Sequence, residues 1–210
     1  GNARLALQFV INYEEGGENN ILHGDAASEA FLSDIVNAVP LLGVRHINME
    51  SHYEYGSRVG WWRLRRLFVE RKLPVTVFAV GMALARVPEI AASMVAANFE
   101  IACHGWRWID YQYVDPATES AHIDLAIKAI ERVSGVKPLG WYTGRMGPNT
   151  RRLVAEHGGF LYDADDYSDD LPFWVTEAGK PHLIVPYTLD SNDRRFAISQ
   201  GFNTGEQFFA

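Results

Sequence analysis

Cysteine is nearly absent: Cys103 is alone among 210 residues, so no intramolecular disulfide can form and an extracellular disulfide framework is excluded. Positive charge is also short, with 19 Lys and Arg against 26 Asp and Glu and a formal charge of -7. That balance argues against a general nucleic-acid binder, whose phosphate contacts need clustered Lys and Arg. The one basic run, Arg63, Arg65 and Arg66, is interleaved with Trp62, Leu64, Leu67 and Phe68 and reads as the solvated side of a helix over Arg58–Lys72. No apolar run approaches the ~20 residues of a membrane span. The amino terminus lacks a basic, apolar, small-residue leader, although a start at Gly1 allows for trimming. Internal repeats and a glycine-rich dinucleotide fingerprint are missing too. A reducing cytoplasm is the expected location.

What is present is a chain 48% hydrophobic, long enough for one core and too short for two ordinary domains, so 1–210 is expected to be a single domain. Strand-like runs alternate with helical ones. The first strand, Leu5–Tyr13, leads into a long polar loop, Gly16–Ser28, and a helix over Glu29–Ala38. A strand over Val44–Glu50, an aromatic loop Ser51–Gly60 and the Arg58–Lys72 helix follow. Val75–Val80 is β-branched enough for a buried parallel strand. Met82–Asn98 reads as a helix broken at Val87-Pro88, Phe99–Cys103 as a strand, and Asp115-Pro116 opens a helix that ends at Ser134-Gly135. Strand Leu139–Thr143, helix Thr150–His157, and strands Phe160–Asp163 and His182–Tyr187 complete the series before an irregular tail. Alternation of this kind predicts a parallel sheet, with a barrel favoured over a doubly wound sheet.

Several strands end in polar clusters. Leu5–Tyr13 stops at Glu14-Glu15-Gly16-Gly17, and later runs end in CHGWRW, YTGRMGP and YDADDYSDD. In a β/α barrel the carboxyl ends of the strands form the catalytic face, so Glu14, His104, Arg145 and an aspartate near Asp163 are expected to converge. A solvated loop entry would explain Glu14 and Glu15 alone. Their position after a nine-residue apolar strand favours a site.

The order NYEEG, HGWRW, GRMGP and YDADDYSDDLPFW resembles the polysaccharide deacetylase (NodB-homology) superfamily, and NYEEGGE, YEYGSRVG, HGWRWIDYQ, GWYTGR and DDLPFWV are similar to its bacterial metal-independent allantoinases. The resemblance implies a distorted (β/α)7 barrel and hydrolytic opening of a small cyclic ureide or imide. A cyclic imidase, a metal-dependent N-deacetylase and a non-catalytic binding barrel are the alternatives. It also implies a homo-oligomer, for which Trp61, Trp62, Phe202, Phe208 and Phe209 are candidate contacts. The superfamily's last sequence signature, a leucine with a histidine shortly after it, has no counterpart after His182. The barrel's closing elements are therefore expected to be short here.

Metal-dependent members use two aspartates and two histidines four residues apart. Here Glu14 and Glu15 replace the aspartates, Trp108 stands for the second histidine, and only His104 is kept. No metal cofactor is therefore expected, with zinc as the alternative. The resemblance gives Glu14 the role of base, Arg145 that of orienting it, and His104 that of donor to the oxyanion or leaving nitrogen. Glu15, Trp108, Tyr111, Tyr142, Asp163 and Asp170 are the expected substrate contacts. The other histidines read as surface or locally bonded side chains, and Cys103 should point away from His104 by strand alternation.

Overall fold

The computed structural model describes residues 4–198 and 201–210. Its nine strands are β1 (Val10–Tyr13), β2 (Ala27–Ser28), β3 (Leu41–Leu42), β4 (Thr76–Ala79), β5 (Glu100–Cys103), β6 (Gly140–Trp141), β7 (Tyr162–Asp163), β8 (Phe173–Glu177) and β9 (Lys180–Ile184). The helices are α1 (Ile47–Tyr55), α2 (Trp61–Glu70), α3 (Gly81–Arg86), α4 (Pro88–Ala96), α5 (Pro116–Ser134), α6 (Thr150–His157) and α7 (Gly205–Phe209). Seven strands form one sheet in the order β1-β4-β5-β6-β7-β9-β8, parallel except for the β8–β9 hairpin. The mostly parallel α/β sheet agrees with the expected alternation, and among the described residues its ladder does not close from β8 back to β1.

Alternation divides each strand between two layers. Ile11 and Tyr13 of β1, Val77 and Ala79 of β4, and Ile101 and Cys103 of β5 join the main core with Leu84, Ile90, Met94, Ile127 and Ile130 from the helices. The opposite face holds a smaller cluster of Phe78, Ala102, Tyr142 and Ala164, with Val10 and Tyr187 packed against it, and among the described residues no helix contributes to that cluster. Cys103 and His104 therefore diverge as alternation requires. Helix boundaries follow local chemistry: Asp115 caps α5 by accepting from Ala117 and Thr118 N, and Pro88 opens α4.

Four expectations fail locally. Glu29–Ala38 is a series of turns, because Leu32 and Asn37 take positive φ and the Glu29 carboxylate binds the N–H groups of Ala30 and Phe31 itself. Val44–Glu50 is no strand, since Ile47 opens α1, and the apparent loop Ser51–Gly60 continues that helix through a π turn at Gly56–Gly60 into α2. Met49 and Tyr53, four residues apart, are the buried pair that fixes the helical period. The first strand is only Val10–Tyr13, with Leu5 and Leu7 exposed. Strand β8 was not expected at all. It pairs with β9 through Ala178-Gly179, both at positive φ, the geometry that lets a two-residue turn match strand twist.

Candidate functional site

Glu14 and His104 come together on the face of the smaller cluster. Glu14 Oε1 lies 3.1 Å from His104 Nε2, and the imidazole is 1% exposed while the Glu14 side chain keeps 23% of its surface. The backbone places the ring: His104 N donates to Ala79 O at 2.9 Å, and Tyr142 stands edge-on to it at 5.1 Å. The Glu14 contact misses hydrogen-bond alignment, so both ring nitrogens remain without a partner. Buried donors of this kind cost about 1–3 kcal/mol each unless something else satisfies them, which marks the spot as one for a ligand. Tyr142 thus borders the Glu14–His104 pair.

Glu15 turns the other way. It packs on Gly56, where an added Cβ would sit 2.0 Å from Oε1, and its Oε2 accepts from Glu14 N at 3.1 Å. Burial, reinforced by the charge of Glu14, pushes its carboxyl up to about 7. Its expected role as a substrate contact is therefore corrected: it supports the π turn.

Arg145 does not hold Glu14. Its guanidinium lies over Trp108 at 3.7 Å from the ring centroid, and Nη1 is 3.6 Å from Glu29 Oε2. Trp108 also packs on Phe31 and Tyr53 at 5.5 and 6.1 Å, so these side chains form an aromatic wall with Arg145 stacked on it. The turn bearing Arg145 is anchored by Asp165, 1% exposed, which accepts from Trp141 Nε1, Thr143 N and Gly144 N at 3.0, 2.9 and 2.7 Å. Burial, followed by the neighbouring Asp163, raises the Asp165 carboxyl above the usual carboxylate range.

Three further expected contacts lie elsewhere. Tyr111 is buried under α5, with its hydroxyl 3.0 Å from His122 Nδ1, because the 3-10 turn Tyr111–Tyr113 rolls it inward. Asp163 is fully buried, accepting from Asp165 N at 2.8 Å and facing His182 Nε2 at 3.0 Å, so it braces β7 against β9. Asp170 is exposed on the loop before β8.

Other residues matter that were not anticipated. Arg107 pins the Gly16–Ser28 loop, donating to Gly17 O and Glu18 O at 3.1 Å each and to Asp25 Oδ2 at 2.5 Å. Asn12 shares the Glu14 face of β1 and leaves its Oδ1 buried without a partner. Tyr187 covers Tyr142. Alternation could have flagged Asn12, two residues before Glu14, whereas Arg107 and Tyr187 carried no local signal.

A catalytic zinc takes three protein ligands. Here Glu14 and His104 offer two donors, Trp108 fills the second-histidine position, and Glu15 points away. Among the described residues no three His, Cys, Asp or Glu side chains converge. This donor set does not fit the metal chemistry that the superfamily resemblance implies. What the pair can do is move protons, with a carboxylate as base and an imidazole as donor.

The fold and this site define an α/β domain with a carboxylate–imidazole pair at the carboxyl ends of its parallel strands. Residues 49–159 match the family model described as polysaccharide deacetylase. A Schizosaccharomyces pombe protein provisionally named a polysaccharide deacetylase is 40% identical over 225 aligned residues, covering 99% of this chain and 70% of its own. The chain belongs to the polysaccharide deacetylase family. Among solved structures, PuuE allantoinase superposes with a TM-score of 0.95 at 61% identity, covering 100% of this chain and 70% of that one. A Pseudomonas aeruginosa PAO1 protein described as a probable polysaccharide deacetylase gives 0.92 at 62%, covering 96% and 68%.

Proposed function

We propose that this protein hydrolyses a cyclic amide, opening a small ureide or imide ring, with allantoin to allantoate in purine degradation as the leading case, and that it does so without a bound metal. The Glu14–His104 contact at 3.1 Å carries this reading, together with the likeness to PuuE allantoinase. Glu14 takes a proton from water as the water oxygen bonds to the ring carbonyl carbon. His104 delivers a proton to the leaving nitrogen as the C–N bond breaks and is restored by the proton that Glu14 took, so ring and water together give one carboxylic acid, which ionises, and one ureido or carboxamide end. Tyr142 stands edge-on to His104 and borders the space for the ring.

N-deacetylation of a polysaccharide is the second reading, favoured by the family model and by the name of the Pseudomonas relative. Turnover assays with allantoin, hydantoin, dihydrouracil, succinimide and chitin oligomers separate the two. Ring opening by chelated protein supports the proposal; acetate release from chitin oligomers alone overturns it.

The proposal includes a cytoplasmic homo-oligomer with no nucleic-acid or membrane partner. No helix among the described residues is long and apolar enough to cross a membrane. Of the candidate contacts, Trp61 is buried with Nε1 on Ser93 Oγ, whereas Trp62 is 40% and Phe209 93% exposed. Light scattering that returned a monomer at micromolar concentration would remove the oligomer.

A further inference from the structure

Three tyrosines meet on the face of the smaller cluster. Tyr142 and Tyr167 satisfy each other, with their hydroxyl oxygens 3.1 Å apart. Tyr187 stacks flat on Tyr142 at 4.5 Å and 6°, and Tyr142 in turn borders His104. The Tyr187 oxygen accepts from Asn192 Nδ2 at 3.1 Å. That amide cannot be reversed, because Asn192 Oδ1 accepts from Arg194 N at 2.8 Å. Asn12, two residues before Glu14 on β1, neighbours the same oxygen and leaves its own Oδ1 buried without a partner.

A phenol oxygen has two acceptor positions and one proton to give. Asn192 takes one acceptor position, and the O–H is left to give. No acceptor among the described residues takes that proton, and Tyr187 is half-buried within range of the Glu14 charge. We propose that the Tyr187 hydroxyl donates a hydrogen bond to the carbonyl oxygen of the amide being cleaved, held in place by Asn192 and by its stack on Tyr142. This rests on the hydrolytic reading above and deepens it by naming the oxyanion donor.

Negative charge gathers on that oxygen as water adds, and a site without three metal ligands needs a fixed donor there. Tyr187 keeps its proton throughout, while Glu14 and His104 carry the transfer. Burial, the largest influence on the hydroxyl, raises its pKa and keeps it protonated.

Tyr187→Phe preserves the ring and its stack while removing the O–H. Its kcat should fall about 100-fold to 1,000-fold, the usual worth of one oxyanion donor, with KM within a few-fold and an unchanged melting temperature. Asn192→Ala frees the acceptor position that this amide fills, so kcat should drop by less, and the double variant should be no worse than Tyr187→Phe alone. Parent and variants are assayed on allantoin, hydantoin, succinimide and chitin oligomers. If only chitin oligomers turn over and Tyr187→Phe loses that activity, the cyclic-amide reading fails and this inference stands. A parent active on any of them with Tyr187→Phe within threefold overturns the inference alone, as does a rise in kcat for Asn192→Ala, which would mean that the asparagine had been taking the tyrosine's proton. A parent inactive on all four overturns both.

Discussion

Replacing Glu15 with Gln should stabilise the protein, and more so at higher pH. The carboxyl is pushed from 4.5 to about 7 by burial against Gly56, so the folded protein holds its proton more tightly than the unfolded chain does. Stability from this group is fully present below about pH 4.5 and is lost as pH rises through about 7. At about 1.4 kcal/mol per decade of proton affinity the full effect would be about 3 kcal/mol. The side chain keeps some contact with solvent, so about 2 kcal/mol is the expected remainder. Gln keeps the volume and the oxygen that accepts from Glu14 N, and never ionises. For a chain of this size, Glu15→Gln should therefore melt about 4–8 °C above the parent at pH 8. The gap should close toward pH 4.5, where both side chains are neutral. Thermal melts followed by circular dichroism across that range measure it directly, and groups common to both proteins cancel in the difference. A variant that melts no higher than the parent at pH 8, or a gap that stays constant with pH, would refute the reasoning.

Two other outcomes are expected. Arg107→Leu strands the Asp25 carboxylate and frees Gly17 O and Glu18 O, and breaking so buried a pair should cost about 3–5 kcal/mol; hydrogen exchange should rise across Gly16–Ser28 before other segments. Cys103 is fully buried, which pushes its thiol up to about 12, so native protein should ignore a thiol reagent at neutral pH while denatured protein reacts once per chain.

Most of the fold was readable because the strongest signals were local. Val75–Val80, the Asp115-Pro116 cap, the Val87-Pro88 break and the Ser134-Gly135 stop each act through nearby sterics and hydrogen bonds, and each stands as expected. The errors sit where nonlocal contacts decided. Ile47 and Met49 show a period of two on paper, yet burial of Met49 with Tyr53 made the segment a helix. Glu29 looked like the start of a helix, but its carboxylate caps its own backbone and meets Arg145 from a distant turn. The meeting of Glu14 and His104 was legible through strand ends. The orientations of Glu15, Tyr111 and Asp163 were not, because each is set by a partner remote in sequence: Gly56, His122 and His182.

The central claim is that Glu14, beside His104, activates water. Steady-state kinetics of Glu14→Gln on a cyclic amide, with both proteins treated with chelator, is its most direct test. Gln keeps the shape but not the base, so kcat should fall about 100-fold to 10,000-fold while substrate binding survives. A kcat for Glu14→Gln within a few-fold of the parent, with Glu15→Gln inactive, would contradict the account.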